Sequence, residues 1–390
     1  MNKRISLLAL PLILAACAVA TPVPTMPPPT ATRPPATATA RPPTTAAPTA
    51  APTATAVPPT ATPKPAPGTV TVMTHDSFAM SNAVLAAFEA ESGITVKVLK
   101  AGDVGSALNK AILTKDAPLA DVFYGVDNTF LSRALSAGIF DPYAAPALRS
   151  IADRYKLDPQ NRLLPVDYGH VSVNYDKAWF EAKKLALPAT LKDLADPKYK
   201  GLLVVENPAT SSPGLAFLLA TIASFPEGSA YTWQQYWADL RKNDVRAAEG
   251  WEAAYYGDFS GSSGKGPRPL VVSYQTSPAA EVMFSEGKLS TPPTGNLDAA
   301  AFEQIEFVGI LRGTKNRPAA ERFVNFMLGP AVQADVAGQM VVYPVADGTK
   351  LPAEFVQFAP APKNIVTLAP DIIDQGREKW IEAWTKIVLK

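Results

Sequence analysis

Prolines are concentrated in one segment of this chain, and that segment limits where a folded core can form. Residues 21–68 contain 16 of the 39 prolines, and alanine and threonine fill most of the other positions. Such a segment cannot bury enough apolar surface to offset the chain entropy lost on folding. We therefore expect residues 17–68 to be an extended, disordered linker and residues 69–390 to form the folded part.

The segment before the linker has the pattern of an export signal. Lys3 and Arg4 precede an apolar run over residues 5–14, which is too short for a transmembrane helix. The Leu-Ala-Ala-Cys sequence ending at Cys17 resembles the lipobox of bacterial lipoproteins. That likeness implies removal of residues 1–16, a lipid on Cys17, and a location at the outer face of the bacterial cytoplasmic membrane. An ordinary signal peptide with an incidental cysteine is the alternative.

Composition excludes several classes of function. All 35 acidic residues lie at or after Asp76, whereas five of the 36 basic residues precede it, so the folded part has a small acidic excess. Nucleic-acid binding needs a clustered basic excess instead. Cys17 is the single cysteine, and His75 and His170 are the two histidines, which leaves no disulfide and no Cys- or His-rich metal site. We expect no cofactor.

The hydrophobic pattern predicts an α/β fold. Strands and helices alternate over residues 69–137, which implies parallel strands with right-handed crossovers. A second α/β unit follows within the chain, and a C-terminal helix is predicted over residues 371–388 without a predicted packing partner. The predicted strands cover residues 69–74, 94–99, 120–125, 165–176, 200–205, 269–274 and 303–311, and the other predicted helices cover residues 79–92, 105–115, 129–137, 215–224, 279–285 and 318–328.

Polar side chains follow the carboxyl ends of several predicted strands. Ligands of open α/β sheets bind at that edge, where the N-termini of helices also point. Each loop is also explained by helix capping alone, but five of them at one edge form a polar cradle. The loops are His75-Asp76-Ser77, residues 102–106, Asp127 and Asn128 with Thr129, residues 210–214 with Ser211 and Ser212, and Ser277 with Pro278.

Aromatic residues could supply flat walls for a ligand. Trp251 and Tyr255 are four residues apart, on one face if the segment is helical. Tyr274 ends a predicted strand, and Tyr168 lies in a Val-Asp-Tyr-Gly sequence. Such rings beside carboxylates suit a cationic aromatic ligand through stacking and cation–π attraction. The alternative is that Trp251, like Trp233 and Trp237, belongs to the core.

The chain from about residue 70 to residue 345 resembles the substrate-binding proteins of bacterial thiamine ABC importers. That resemblance implies a periplasmic-binding-protein type II fold, with two lobes, two crossing strands and a cleft that closes on the ligand. The motifs that carry the resemblance are THDSF at residues 74–78, ADVFYGVDN at 120–128, DYG at 167–169, NPATSSPGL at 207–215, GWEAAY at 250–255, VSYQTSP at 272–278 and YPV at 343–345.

The resemblance also implies a site and partners. It places the site at Asp76, Ser211, Trp251 and Tyr274, with Asp127 and Asn128 nearby, and implies a monomer that delivers thiamine, a thiamine phosphate or a related cation to an ABC permease and its ATPase. Lobe 1 would comprise residues 69–165 and about 290–345, lobe 2 about 166–289, with residues 346–390 as a tail. Enteric members of the family have aromatic residues at three positions where this chain has His75, Ala280 and, nearby, Val341.

Two other functions remain open from the residues. The adjacent Tyr255 and Tyr256 invite comparison with receptors for ferric ion or an oxyanion, although neighbouring helical side chains point about 100° apart. A secreted enzyme is the second alternative. His75, Asp76 and Ser77 have the residue types of a catalytic triad, but on an extended backbone they would point to alternate faces. The glycine-rich stretch from Gly261 to Gly266 lacks P-loop spacing.

Overall fold

Residues 68–262 and 265–390 are described by a computed structural model. The predicted signal peptide, the lipid site at Cys17 and the linker up to residue 67 lie outside the described residues. The strands are β1 (Gly68–Thr74), β2 (Ile94–Lys100), β3 (Val122–Asp127), β4 (Phe140–Asp141), β5 (Leu164–Asp176), β6 (Leu203–Glu206), β7 (Arg246–Ala248), β8 (Leu270–Tyr274), β9 (Thr294–Asn296), β10 (Ala301–Leu311), β11 (Tyr343–Pro344) and β12 (Ile365–Val366).

Helices alternate with these strands, as the hydrophobic pattern predicted. A π-helix over Ala253–Asp258 and short 3₁₀ turns are the other helical segments among the described residues. The α-helices are α1 (Asn82–Ser92), α2 (Val104–Leu113), α3 (Leu131–Ser136), α4 (Lys177–Lys183), α5 (Ser212–Ser224), α6 (Trp233–Lys242), α7 (Ser277–Met283), α8 (Arg317–Met327), α9 (Pro330–Gln339), α10 (Ala353–Phe358) and α11 (Pro370–Val388).

The strands form a single mixed sheet with two parallel blocks. Its strand order is β2-β1-β3-β10-β5-β8-β6-β7. In the first block β1 pairs in parallel with β2 and β3, and in the second β6 pairs in parallel with β7 and β8. The long strands β5 and β10 lie between the blocks and run antiparallel to each other. This arrangement confirms the predicted α/β fold class.

Helix boundaries follow from local capping. The Ser81 hydroxyl accepts a hydrogen bond from the N–H of Val84 at 3.3 Å, so α1 begins at Asn82, three residues later than predicted. Gly93, with φ of 71°, ends the same helix as predicted. Helix α5 begins at Ser212 because Pro213 fits the first turn, and its residues from Ser212 to Ile222 are buried. A helix that is apolar on all sides belongs in a core.

Helix α11 packs against both blocks, a placement that the sequence left open. Trp384 of α11 meets Trp237 of α6 edge to face, with ring centroids 5.5 Å apart. Earlier in the same helix, the guanidinium carbon of Arg377 lies 4.5 Å from the ring centroid of Phe130, which precedes α3. Arg377 is buried. The C-terminal helix therefore joins a helix of the second block to the start of a helix in the first.

One predicted backbone conformation was wrong. The His75-Asp76-Ser77 segment is a turn that follows β1, not an extension of the strand. The turn forms because the Asp76 carboxylate accepts the N–H of Gly102 at 2.9 Å, and the N–H of Phe78 donates to the His75 carbonyl at 3.2 Å. The three side chains can therefore face one region of space.

Candidate functional site

Four of the five predicted loops line one cavity of about 530 Å³. The cavity lies between the two parallel blocks, beyond the carboxyl ends of β1, β2, β6 and β8, where a ligand of an open α/β sheet is expected. Of the predicted site residues, the wall contains His75, Asp76, Ser77, Ser212, Trp251, Tyr255, Tyr274 and Ser277.

One side of the cavity is aromatic. The rings of Trp251 and Tyr255 stack with centroids 5.0 Å apart and an interplanar angle of 16°. Tyr274 meets Trp251 at 62°, with centroids 6.5 Å apart. The π-helix contains Tyr255 and begins two residues after Trp251. π-Helical turns are rare and are frequent at functional sites. The predicted pairing of Trp251 with Tyr255 on one face is thus observed, in a different kind of helix.

Hydrogen bonds hold the indole of Trp251 in place. Its Nε1 donates to the Ser273 hydroxyl at 2.8 Å, and that hydroxyl lies 2.9 Å from the Ser277 hydroxyl. The backbone N–H of Trp251 donates to the Asp103 carboxylate at 3.1 Å. Ser273 and Ser277 are buried. The ring is therefore presented to the cavity in one orientation, which lowers the entropy cost of stacking against a ligand.

Asp103 connects the two blocks across the cavity. One of its oxygens accepts the N–H of Val104, at the start of α2, at 2.7 Å, while the other accepts the N–H of Trp251. Gly250 allows this approach, because a Cβ there would lie 2.9 Å from the Asp103 carboxylate. Burial raises the pKa of Asp103, and hydrogen bonds from Ser211 and the backbone oppose that shift.

The wall carries far more acid than base. Lys100 is the single lysine or arginine among the described residues that line the cavity. Opposed to it are the carboxyl groups of Asp76, Asp103, Glu252, Glu281 and Glu306. The Glu281 carboxylate accepts the Tyr255 hydroxyl at 2.7 Å, and the Glu252 carboxylate accepts the Ser77 hydroxyl at 3.3 Å. Such a wall favours a positively charged ligand.

Glu306 reaches the cavity from β10, in the middle of the sheet. Its Oε1 lies 3.5 Å from Nε2 of His75, and its Oε2 accepts the Tyr124 hydroxyl at 3.2 Å. The same hydroxyl donates to the Asp167 carboxylate at 2.6 Å. Gly125 allows the imidazole to lie here, because a Cβ at that position would lie 2.6 Å from Cδ2 of His75. Its φ of 112° also favours glycine.

The pKa values of His75, Glu306 and Asp167 are strongly shifted. Burial lowers the pKa of His75 to about 4, although the charge of Asp76 opposes the shift, so the imidazole is neutral at pH 7. Burial raises the pKa of Glu306 well above its ordinary value, and the neighbouring Asp167 raises it further. Burial also raises the pKa of Asp167 to about 6.

Four predicted site residues lie outside the cavity wall. At the end of β3, one oxygen of the Asp127 carboxylate accepts hydrogen bonds from the N–H and the hydroxyl of Thr129. The other oxygen accepts the Ser212 hydroxyl, so both oxygens already have partners within the protein. The Asn128 side chain donates to the Glu303 carbonyl and accepts the N–H of Ile305, both at 3.0 Å, which ties β3 to β10. Their part in ligand binding stays a prediction.

Tyr168 and Ser211 are the other two. Tyr168 stacks between Tyr155 and Tyr343, with centroids 5.0 and 5.2 Å away. Ser211 is the buried residue that precedes α5. Both positions support the elements that carry the wall, and a direct contact with ligand is untested.

The sequence reasoning missed several residues of the wall. A local signal existed for Glu306, because a charged residue stands inside the apolar run from Ile305 to Ile310. No comparable signal marks Glu281, because a single charged residue within a predicted helix is ordinary in a sequence. The missed residues of the wall include Lys100, Glu252, Glu281, Glu306, Met340 and Val342, whereas Asp103 lies in one of the predicted loops.

The geometry bears on the two alternative functions. His75, Asp76 and Ser77 have Glu306, Gly102 and Glu252 as their respective partners, so they do not form a relay of nucleophile, base and orienting acid. The rings of Tyr255 and Tyr256 are nearly perpendicular, at 89°. Within residues 68–262 and 265–390, no group of three or more His, Cys, Asp or Glu side chains is placed to hold a metal ion.

The fold and the cavity together define a class of protein. Two parallel α/β blocks, joined by long central strands and separated by an acidic, aromatic cavity, are the architecture of two-lobed solute receptors. Residues 117–375 match the profile of the bacterial extracellular solute-binding proteins. The chain belongs to that family.

Individual relatives agree with this assignment. The chain is 31% identical to the thiamine-binding periplasmic protein of Salmonella typhimurium, over 83% of this chain and 94% of that protein. It is also 31% identical to the Escherichia coli protein of the same name, with the same coverage. A solved periplasmic thiamin binding protein superposes with a TM-score of 0.71 at 28% identity, covering 82% of this chain and 96% of that one. The resemblance inferred from the motifs is confirmed.

These relatives also bear on location. Their names place them in the periplasm, which agrees with an exported protein. Among residues 68–262 and 265–390, no helix has both the length and the apolar character needed to cross a membrane.

Proposed function

We propose that this chain is the lipid-anchored receptor of an ABC importer and that it binds thiamine, or a thiamine phosphate, in the cavity. Cys17 would carry the lipid at the outer face of the cytoplasmic membrane, and the linker would let the receptor reach its permease. The receptor acts as a monomer without chemical turnover. Its two lobes would divide near residues 165 and 290, with β5 and β10 as the crossing strands.

The observation that carries this proposal is the pairing of stacked aromatic rings with an acidic wall. Thiamine joins a positively charged thiazolium ring to an aminopyrimidine, so both of its halves are flat. Trp251 and Tyr274 present ring faces and edges to the cavity, and a cation over such a face gains about 0.5–2 kcal/mol. The carboxyl groups around them complement the positive charge.

The polar groups of the wall suit the remaining parts of thiamine. Ser212 and Ser277 stand at the N-termini of α5 and α7. The Ser212 hydroxyl donates to Asp127, so its oxygen can accept a hydrogen bond from an amino group or a hydroxyl of the ligand, and the Ser277 oxygen can do the same. A phosphate ester adds negative charge, and Lys100 is the one described basic side chain in the wall that could meet it. We therefore expect unphosphorylated thiamine to bind more tightly than thiamine diphosphate.

Calorimetric titration of the exported domain tests this proposal. Thiamine should bind with a dissociation constant in the micromolar range or below, and thiamine diphosphate should bind at least about tenfold more weakly because of the acidic wall. The free aminopyrimidine should bind more weakly still, since it lacks the cation. Absence of heat and of any thermal shift with all three compounds would reject the proposal.

A matched pair of tryptophan variants makes the test specific. Trp251→Leu removes the stacking face from the wall and should weaken thiamine binding about 10- to 100-fold. Trp179→Leu removes a half-buried indole that packs on Phe180 in α4, away from the cavity, and should leave the affinity unchanged. Equal affinities in the two variants would mean that thiamine does not use this wall.

A ferric-ion or oxyanion receptor remains the second candidate. Tyr256 is half exposed at the wall, and Tyr255 lies beside it. Burial raises the pKa of Tyr255 well above its ordinary value, and Glu281 raises it further, which opposes formation of a tyrosinate ligand. Addition of ferric citrate should therefore give no visible tyrosinate–iron band, and a strong band would favour this candidate over thiamine.

A further inference from the structure

We propose that Glu306 is the counter-ion of the bound cation and that it gives up its proton when the cation enters the cavity. The proton passes to the solvent, so uptake of one cation is accompanied by release of one proton. This inference rests on the proposed function, because it assumes that the ligand is positively charged. It assigns a binding role to a residue on a central strand rather than on a loop.

The position of Glu306 supports this role. The residue lies in β10, between β3 and β5, and is buried apart from the part that faces the cavity. In the sheet register Glu306 is opposite Asp127 of β3 on one side and Asp167 of β5 on the other. The side chain is therefore held by strand pairing at a fixed place in the cavity wall.

Three buried acidic groups meet at this place. Tyr124 bridges Glu306 and Asp167 through its hydroxyl, at 3.2 and 2.6 Å. Two carboxylates this close in a buried site repel each other strongly, so the free protein keeps a proton on the pair. Burial and the two acidic neighbours raise the pKa of Tyr124 well above its ordinary value, so the phenol stays protonated and cannot take up that proton.

The surroundings do not supply a protein cation in place of the ligand. His75 faces Glu306 at 3.5 Å and is neutral at pH 7, because burial lowers its pKa to about 4. The other titratable groups near Glu306 are Asp127, Asp103 and the phenol of Tyr274. Lys100 and Asp76 lie on the cavity wall and act on His75. Arg377 contacts Phe130 and Glu378, and its charge acts on Asp127.

A cation in the cavity changes this balance. Its charge stabilises the carboxylate of Glu306 relative to the carboxylic acid, so the bound protein has the lower proton affinity. By linkage, affinity for the cation then rises with pH, by up to about tenfold per pH unit, between the pKa of Glu306 in the cation-bound protein and its higher pKa in the free protein. Above that range the affinity should become constant.

Calorimetry of the wild-type domain with thiamine tests the inference without any substitution. Titrations at one pH in two buffers of different ionisation enthalpy give the number of protons released for each thiamine bound. Repeated over a range of pH, these titrations should show a maximum release of up to about one proton per thiamine, at a pH between the pKa values of Glu306 in the bound and the free protein. Binding with no proton released would overturn the inference and leave the proposed function intact, whereas no binding of thiamine would reject both.

Substitution then assigns the proton to Glu306. Glu306→Gln should abolish proton release, flatten the pH dependence and weaken binding about tenfold or more at pH 8. Asp167→Asn removes the repelling neighbour, lowers the pKa of Glu306 and should shift the pH dependence to lower pH. Glu303→Gln is the matched control, since Glu303 is on the same strand but pairs with His170 away from the cavity.

The control should match the wild type in affinity and proton release. If Glu306→Gln releases the same number of protons as the wild type, the proton comes from another group and the inference is wrong. Circular dichroism and thermal unfolding of each variant establish that it is folded before its titration is interpreted.

Discussion

Two groups of tryptophans show how one residue type serves two purposes in this molecule. Trp237 is fully buried between α5, α6 and α11, where it meets Phe217 and Trp384 edge to face. Trp251 is half buried and stacks on Tyr255 with a free side toward the cavity. Both indoles donate to a hydroxyl, Trp237 to Thr221 at 2.9 Å and Trp251 to Ser273 at 2.8 Å.

The difference lies in what surrounds the ring rather than in the hydrogen bond. The buried cluster is closed by a helix from the far end of the chain, so the Trp237 ring contacts protein on all sides. The Trp251 ring is left partly open because two loops of the first block, after β1 and β2, stand opposite it across the cavity. We therefore expect substitutions in the first group to change stability and those in the second to change affinity.

The largest expected effect is on stability at the buried cluster. Trp237→Ala should lower the free energy of unfolding by about 3–5 kcal/mol, since it leaves a cavity and removes the partner of Trp384. Urea unfolding followed by circular dichroism measures this loss. Trp251→Ala should cost about 2 kcal/mol or less, because its ring already contacts solvent. A larger loss of unfolding free energy for Trp251→Ala than for Trp237→Ala would contradict this distinction between a structural and a ligand-binding tryptophan.

The next effect concerns pH and a residue of the cavity region. His75 has a native pKa of about 4 against an ordinary value of about 6.5, so the unfolded chain binds more protons between these values. Its contribution to stability is complete above pH 6.5 and is lost as the pH falls toward 4, by up to about 3 kcal/mol. The difference in unfolding free energy between wild type and His75→Gln, measured from pH 7 to pH 4, should therefore shrink.

The difference between wild type and His75→Gln separates the effect of the histidine on stability from the effect of the neighbouring acidic residues. Burial raises the pKa of Asp127 and Asp167 to about 6, so these carboxyl groups contribute the opposite slope between their ordinary pKa and pH 6. Both proteins share this contribution, which cancels in the difference. A difference that does not change with pH would mean that His75 titrates normally in the folded protein.

The smallest expected effects come from removing the two hydroxyl groups that accept hydrogen bonds from Trp237 and Trp251. Thr221→Ala should lower the unfolding free energy by about 1–3 kcal/mol, since the buried Trp237 N–H loses its acceptor. Ser273→Ala should weaken thiamine binding by a few-fold, because the Trp251 ring loses its fixed orientation. Parallel urea unfolding and calorimetry of both variants would show whether stability and affinity separate in this way.

Much of the fold was predictable because it depends on local patterns. The hydrophobic pattern located β1, β2 and β3, and loop composition located the polar edge that lines the cavity. Local signals set the helix boundaries a few residues away from the predicted ones: Ser81 caps α1, and Pro213 lies in the first turn of α5. The short strands were missed because they form only by pairing with distant segments, as with β11 against β5.

The site was predictable only in part, for a related reason. Loops after parallel strands share one edge by topology, so His75, Ser212 and Ser277 converge as expected. Glu306 converges with them because β10 inserts between β3 and β5. The charge of Glu306 inside an apolar run marks it as unusual, but no local pattern shows which distant strands β10 pairs with. Asp127 has the right residue type at the right edge, but Ser212 and Thr129 already occupy its carboxylate.

The placement of α11 has a mechanical consequence. Trp384 of α11 contacts Trp237 of α6, and Arg377 of α11 contacts Phe130 at the start of α3, so one helix touches both halves of the molecule. If one half rotates relative to the other about β5 and β10, then either one of these two contacts must rearrange or α11 must move together with one half. In the two-lobed receptor proposed above, these contacts of α11 would therefore limit how far the two lobes could move apart.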